Sequence, residues 1–182
     1  MDIKKLADVK DRFADYEKIF NSGDYDKAAD ILSAILERIE ECTDERKAGT
    51  MDDTFVKKSD MDGRPIYISL NHVMEYYVYA CYFEPETDVL CTELPVGEYY
   101  RTYGSLGLKL SKFRRAEDAF KKAICWNPVD LDSYLGLAEC YKNLNMLSRY
   151  LDVTNQAYRF CCSRATMARY YRNMGFYYLC LP

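Results

Sequence analysis

The sequence predicts an all-α protein. It reads as a right-handed superhelical stack of antiparallel helix pairs, with an irregular middle insertion that has room for a short β element. Three observations carry this. Apolar residues recur at helical spacing through most of the chain. The breaks between successive runs are short, which forces consecutive helices to lie antiparallel. Across the C-terminal half, bulky and small residues recur every 34 positions. At 182 residues, 49% hydrophobic and 30% charged, the chain is large enough for one domain with a sizeable core and too short for two large ones.

Residues 3–20 place Leu6, Val9, Phe13, Tyr16 and Phe20 at helical spacing, and Asn21-Ser22-Gly23-Asp24 breaks the pattern. A second run from Tyr25 to Glu41 puts Ala28, Ile31, Leu32, Ile35, Leu36 and Ile39 on one side, so 1–42 is a helix pair. Residues 43–64 are polar and aperiodic, a loop or linker of unusual length for a compact domain. Asp60-Met61-Asp62-Gly63 lacks the spacing and the closing glutamate of a calcium loop. Residues 65–97 begin with a strand-like Ile66-Tyr67-Ile68. Asn71 then caps a helix to about Phe83, rich in tyrosine and nearly uncharged, which is expected to bury most of its circumference. A proline-containing connection follows, extended near 88–91.

From residue 98 the signal is sharper. Runs at 98–110 and 114–126 form one helix pair, and Asn127-Pro128 stops the second helix because the residue before proline disfavours the helical region. Runs at 131–144 and 148–162 repeat the layout, and 165–181 is a fifth run without a partner. Steps of 34 align Tyr100, Tyr134 and Ala168; Tyr103, Leu137 and Tyr171; Gly104, Ala138 and Arg172; and Gly107, Tyr141 and Gly175. Ala123 aligns with Ala157. Large residues fall where one helix fills its neighbour's groove, and small ones where two backbones approach. A helix pair that cannot bury both faces alone stacks on the next.

This pattern resembles the tetratricopeptide repeat family. Its W-x2-L-G-x2-Y…A-x3-F…P signature is matched by Tyr100, Tyr103-Gly104, Ala116, Phe120, Ala123 and Pro128. Gly23-Asp24-Tyr25-Asp26-Lys27-Ala28 looks like the same family's inter-helix turn. The resemblance covers 9–42 and 98–182, and the strings around Trp126-Asn127-Pro128 and Ala168–Tyr178 are similar to a bacterial subgroup of that family. Two departures stand out. The offset from Ala28 to Ala116 is 88, not a multiple of 34, and Tyr150 occupies a position the family usually keeps small.

The chemistry of an enzyme is missing from the sequence. There is no G-x-S-x-G, P-loop, G-x-G-x-x-G or H-E-x-x-H, and His72 is the one histidine. Eight cysteines include no C-x-x-C pair, so they read as reduced, small, apolar core residues rather than as zinc ligands. No catalytic residue, cofactor or metal is expected. No stretch approaches the ~20 apolar residues needed to span a bilayer, and the N-terminus carries no signal-peptide core. The expectation is a cytoplasmic protein with no membrane partner.

Charge is uneven. Residues 1–60 carry 11 basic and 16 acidic side chains, 61–98 carry 1 and 7, and 99–182 carry 13 and 6. An acidic front and a basic back favour contact between the two, within a molecule or between copies. The overall net charge of −4 argues against bulk nucleic-acid binding.

The resemblance implies a non-enzymatic scaffold or adaptor that grips a protein or peptide in a concave groove lined by the first helix of each pair. Carried over by position, the groove candidates are Arg101, Ser105 and Lys109 in one unit and Glu139, Lys142 and Asn143 in the next. In the last unit they are Arg169, Asn173 and Tyr177. Leu108, Asp132 and Leu135 fall on the same set of positions. A second surface is the uncharged C-terminal end, where Met174, Phe176, Tyr178, Leu179 and Leu181 are candidates for self-association into a homodimer. Two other readings stay open at this point: a nucleic-acid-binding helical repeat using the basic C-terminal half, and a ligand sensor with its site in 43–97.

Overall fold

Only Gly23 and Asp24 separate the first two helices, α1 (Val9–Ser22) and α2 (Tyr25–Cys42). Gly23 makes the reversal with a φ of 89°, a conformation open to glycine without a Cβ penalty. The apolar stripe of α1, Val9 and Tyr16, then meets Ala28, Leu32, Ile35 and Ile39 of α2, all buried. The computed structural model describes residues 8–42 and 66–180. The reading of 43–64 as a loop, and the Asp60–Gly63 string, lie outside the described residues.

The chain next leaves the helical stack. Strand β1 (Ile66–Ile68), helix α3 (Val73–Phe83) and strand β2 (Val89–Cys91) form a small excursion. The strands pair parallel, Ile66 beside Val89 and Ile68 beside Cys91. Backbone bonds close both ends of the ladder, with Ile66 N–H donating to Asp88 O and Thr92 N–H to Ile68 O, each at 2.8 Å. Ser69 anchors the excursion to the stack: its N–H donates to Trp126 O at 2.7 Å, and its hydroxyl accepts from Gly97 N–H at 3.1 Å. The extended pieces therefore fall at the two places, 66–68 and near 88–91, where the sequence reading puts them.

Helix α3 corrects two expectations. Its N-cap is His72, and Asn71 instead donates from its backbone and side-chain amide to Glu75. More importantly, most of its circumference is not buried. Tyr79 and Phe83 pack into the core, whereas Val73, Met74, Tyr76, Tyr77 and Tyr82 are exposed. An uncharged helix was expected to be covered all round; α3 leans on the stack along one narrow line.

Five further helices follow: α4 (Val96–Lys109), α5 (Phe113–Trp126), α6 (Leu131–Asn143), α7 (Leu147–Tyr158) and α8 (Arg164–Leu179). Each packs on the next, and α2 packs directly on α4 across the excursion. The α4–α5 and α6–α7 turns are made the same way, 34 residues apart. Ser111 and Asn145 both take φ of 56°. Lys112 N–H bonds Gly107 O and Met146 N–H bonds Tyr141 O, each at 2.8 Å. Asparagine tolerates this left-handed conformation better than serine does.

Phe120 of α5 shows what the small residues are for. A Cβ on Gly104 of α4 would stand 2.9 Å from its ring, and one on Gly136 of α6 only 2.3 Å. A Cβ on Gly107 would come within 3.0 Å of Ala116. Absent side chains on two helices thus form the socket for one ring on the helix between them. Around this centre lie two buried clusters, one joining α1, α2, α4 and one side of α5, the other joining the opposite side of α5 with α6, α7 and the inner edge of α3.

The cysteines need a second correction. Of those described, only Cys140 is buried; Cys81, Cys91, Cys162 and Cys180 are exposed, Cys125 and Cys161 are half-buried, and all are free thiols. Reading them as core residues holds at one position, because α3, β2 and α8 each leave a face in solvent.

Candidate functional site

Alternate helices α4, α6 and α8 present their faces on one side of the molecule and enclose an open groove of about 450 Å³. Helix α4 contributes Arg101, Ser105 and Leu108; α6 contributes Asp132, Leu135, Gly136 and Glu139; α8 contributes Arg169, Arg172 and Asn173. Phe120 forms part of the floor, reached through the gap that Gly136 leaves.

A chain of charges crosses this groove. The Arg101 guanidinium lies 3.1 Å from Asp130 Oδ1 and 3.9 Å from Asp132 Oδ2, and Arg169 lies 2.9 Å from Asp132 Oδ1. Arg101, Asp132 and Arg169 therefore tie α4, α6 and α8 to one another. Asp130 sits deeper, in the α5–α6 connection, and accepts from the Ser133 hydroxyl at 2.5 Å. Burial raises its carboxyl above the ordinary range, although Arg101 and Ser133 pull the other way. Arg101 is thus half structural, since it neutralises a buried acid.

Five of the nine groove candidates converge here: Arg101, Ser105, Glu139, Arg169 and Asn173. The other four lie apart. Lys109 reaches over the Tyr25 ring at 3.8 Å and holds α4 to the N-terminal hairpin. Lys142 pairs with Glu139 at 3.3 Å and lies over the Phe176 ring. Asn143 donates back to Glu139 O at 2.8 Å. Tyr177 is half-buried against the core.

Arg172 lines the groove but was not among the candidates. Its signal was present in the 34-residue alignment, where it stands against Gly104 and Ala138. An arginine at a position held by small residues means that no helix packs there, so the side chain turns to the rim. Among the described residues Arg172 has no ion pair, and the Asn173 side-chain amide has no partner.

Of the self-association candidates, Phe176 turns inward, its ring 5.5 Å from Tyr150. Met174 is half-buried, and Tyr178 and Leu179 are exposed. Leu181 lies outside the described residues. Tyr150 is buried and donates its hydroxyl to Asn173 O at 3.0 Å, so the large side chain locks α7 to α8. His72 is exposed beside Glu75 at 3.7 Å.

A second groove of about 360 Å³ lies between α2, α4 and α5. At its base Glu40 accepts from Tyr100 at 2.7 Å and pairs with Lys122. Among the described residues, no cluster of three or more histidines, cysteines or acids is arranged to hold a metal ion. Nor is any helix there long and apolar enough to cross a membrane.

No protein-family model, curated protein or solved structure matches the chain. The functional reading therefore rests on the groove itself.

Proposed function

We propose that the protein is a non-enzymatic interaction module of tetratricopeptide type, a scaffold or adaptor that holds a protein segment in the α4–α6–α8 groove. Its helix pairs are read as a right-handed superhelix with that groove on the concave side. The identical turns at Ser111 and Asn145, one 34-residue step apart, support this reading. Free thiols suit a reducing compartment such as the cytoplasm.

One observation carries the reading. The groove floor is fixed by charges satisfied across three helices, while donors at its α8 edge, Arg172 and the Asn173 amide, stay unengaged among the described residues. A preformed floor with idle donors at its edge suits a segment that supplies backbone carbonyls and an acidic side chain. The mixed charge of the lining counts against a nucleic-acid backbone, which asks for a one-sign surface.

The test is affinity capture from the native cell with the wild-type chain and with Ser105→Trp combined with Arg169→Glu. Both positions are exposed, so the variant should keep its helical circular-dichroism spectrum. Partners captured by the wild type should be lost by the variant. Retention of every partner by the folded variant overturns the groove assignment.

A further inference from the structure

The lining of the α4–α6–α8 groove has two parts. Its floor is apolar. Leu108 of α4 and Leu135 of α6 flank the Phe120 ring, which stands where a side chain on residue 136 would be: a Cβ on Gly136 would come within 2.3 Å of it. Its rim is charged, and all but one of those charges is already matched. Arg101 has Asp130 at 3.1 Å, Asp132 has Arg169 at 2.9 Å, and Glu139 has Lys142 at 3.3 Å. The Ser105 hydroxyl is turned back onto Arg101 O at 3.0 Å. What is left is one exposed guanidinium, that of Arg172, next to the Asn173 amide, both without a side-chain partner among the described residues.

Resting on the groove as a peptide site, we propose that it selects an extended segment with one apolar side chain and, two or three positions along, one carboxylate, and that Arg172 is the residue that selects the acid. Charge complementarity fixes the sign. The paired charges of the lining cancel, so a bound lysine or arginine would face Arg172 and find no free acid. Charge also fixes the amount. A carboxylate carries one negative charge, and its two oxygens match the paired donors of one guanidinium. A phosphoryl group carries nearly two and would leave one uncompensated. The floor selects the apolar side chain, which leaves water against Leu108, Leu135 and the Phe120 ring. The spacing follows from the helices. The Arg169–Asp132 pair holds α8 beside α6, and helices packed side by side stand about 8–10 Å apart. An extended chain covers about 3.3 Å per residue, so the step from the floor to Arg172 takes two or three residues. The Asn173 amide, beside Arg172, is left for a backbone carbonyl of the same segment.

Selection of random phage-displayed peptides on the full chain tests this, with Arg172→Glu and Ser105→Trp chains selected in parallel. Arg172 and Ser105 are exposed, so both variants should keep the wild-type circular-dichroism spectrum. Peptides enriched on the wild type should pair an Asp or Glu with an apolar residue two or three positions away, and Ser105→Trp should lose them. On Arg172→Glu the apolar residue should persist and a Lys or Arg should replace the acid. For one enriched peptide, converting its acid to the amide should weaken binding to the wild type at least about tenfold and leave binding to Arg172→Ala unchanged, the signature of a direct pair. Groove-dependent peptides that lack the acid–apolar pair overturn the proposal and leave the groove standing as a peptide site. The same acid preference on wild type and Arg172→Glu does so too. Enriched peptides that Ser105→Trp retains, or no enrichment at all, overturn both the proposal and the groove.

Discussion

At the scale of single residues, Phe120 and the glycines around it decide how closely the helices pack. Gly136→Ala would force a methyl into the Phe120 ring, and overpacking of this kind costs about 1–3 kcal/mol. The same change at Gly175 meets open space and removes a flexible residue from a helix interior, so in the monomer it should add up to about 1 kcal/mol. Urea denaturation of the two variants should move in opposite directions; equal shifts would mean that helix propensity, not the socket, sets the balance. This distinction was half legible in the sequence. The 34-residue recurrence marked Gly104, Gly107 and Gly175 as places of close approach but did not say which were filled. The thiols follow the same rule. Burial pushes Cys140 up to about 12 and Cys125 up to about 11, so neither offers a thiolate near neutrality.

At the scale of elements, one acid of α5 ties that helix to α7. Glu117 is buried and lies 2.8 Å from Lys121, 3.1 Å from Arg114 and 3.6 Å from Arg149 of α7. Burial acts to raise its carboxyl, but the bonds from Lys121 and Arg114 together outweigh that and hold it below the usual glutamate range. A carboxyl depressed in the folded state stabilises it fully above the unfolded pKa, about 4.3. That contribution is lost as pH falls through the depressed value. The gap in melting temperature between the wild type and Glu117→Gln should therefore be widest near neutrality and close as the solution is acidified below that range. A gap independent of pH would refute the ionic account. Helix α3 shows where element-level reading from sequence fails. Val73–Phe83 carries only Glu75 as a charge, so hydropathy could not mark an outer face, and the helix was assigned a burial it does not have.

At the scale of the whole molecule, burial is graded along the stack. Helix α5 is flanked by α4 and α6 and buries seven of its residues, whereas α8 buries none. Amides in α5 should be the slowest to exchange with deuterium, and those of α8 among the fastest at dilute protein. Equal protection in the two helices would contradict a stack whose stability comes from neighbour contacts. The all-helical architecture was legible because helical periodicity and short turns are local signals. The groove was partly legible, since a fixed period carries Arg101, Ser105, Glu139, Arg169 and Asn173 to one side. Lys109 was misplaced because its long stem reaches sideways to Tyr25, a contact 84 residues away in sequence that no local pattern records. The parallel strand pair was likewise hidden, being a long-range pairing made by two three-residue pieces. That pair has a mechanical consequence. A pull on the two ends of the chain enters β1 at Ile66 and leaves β2 at Cys91. In parallel strands those are opposite ends of the ladder, so tension loads it in shear and its bonds bear the load together instead of unzipping one at a time.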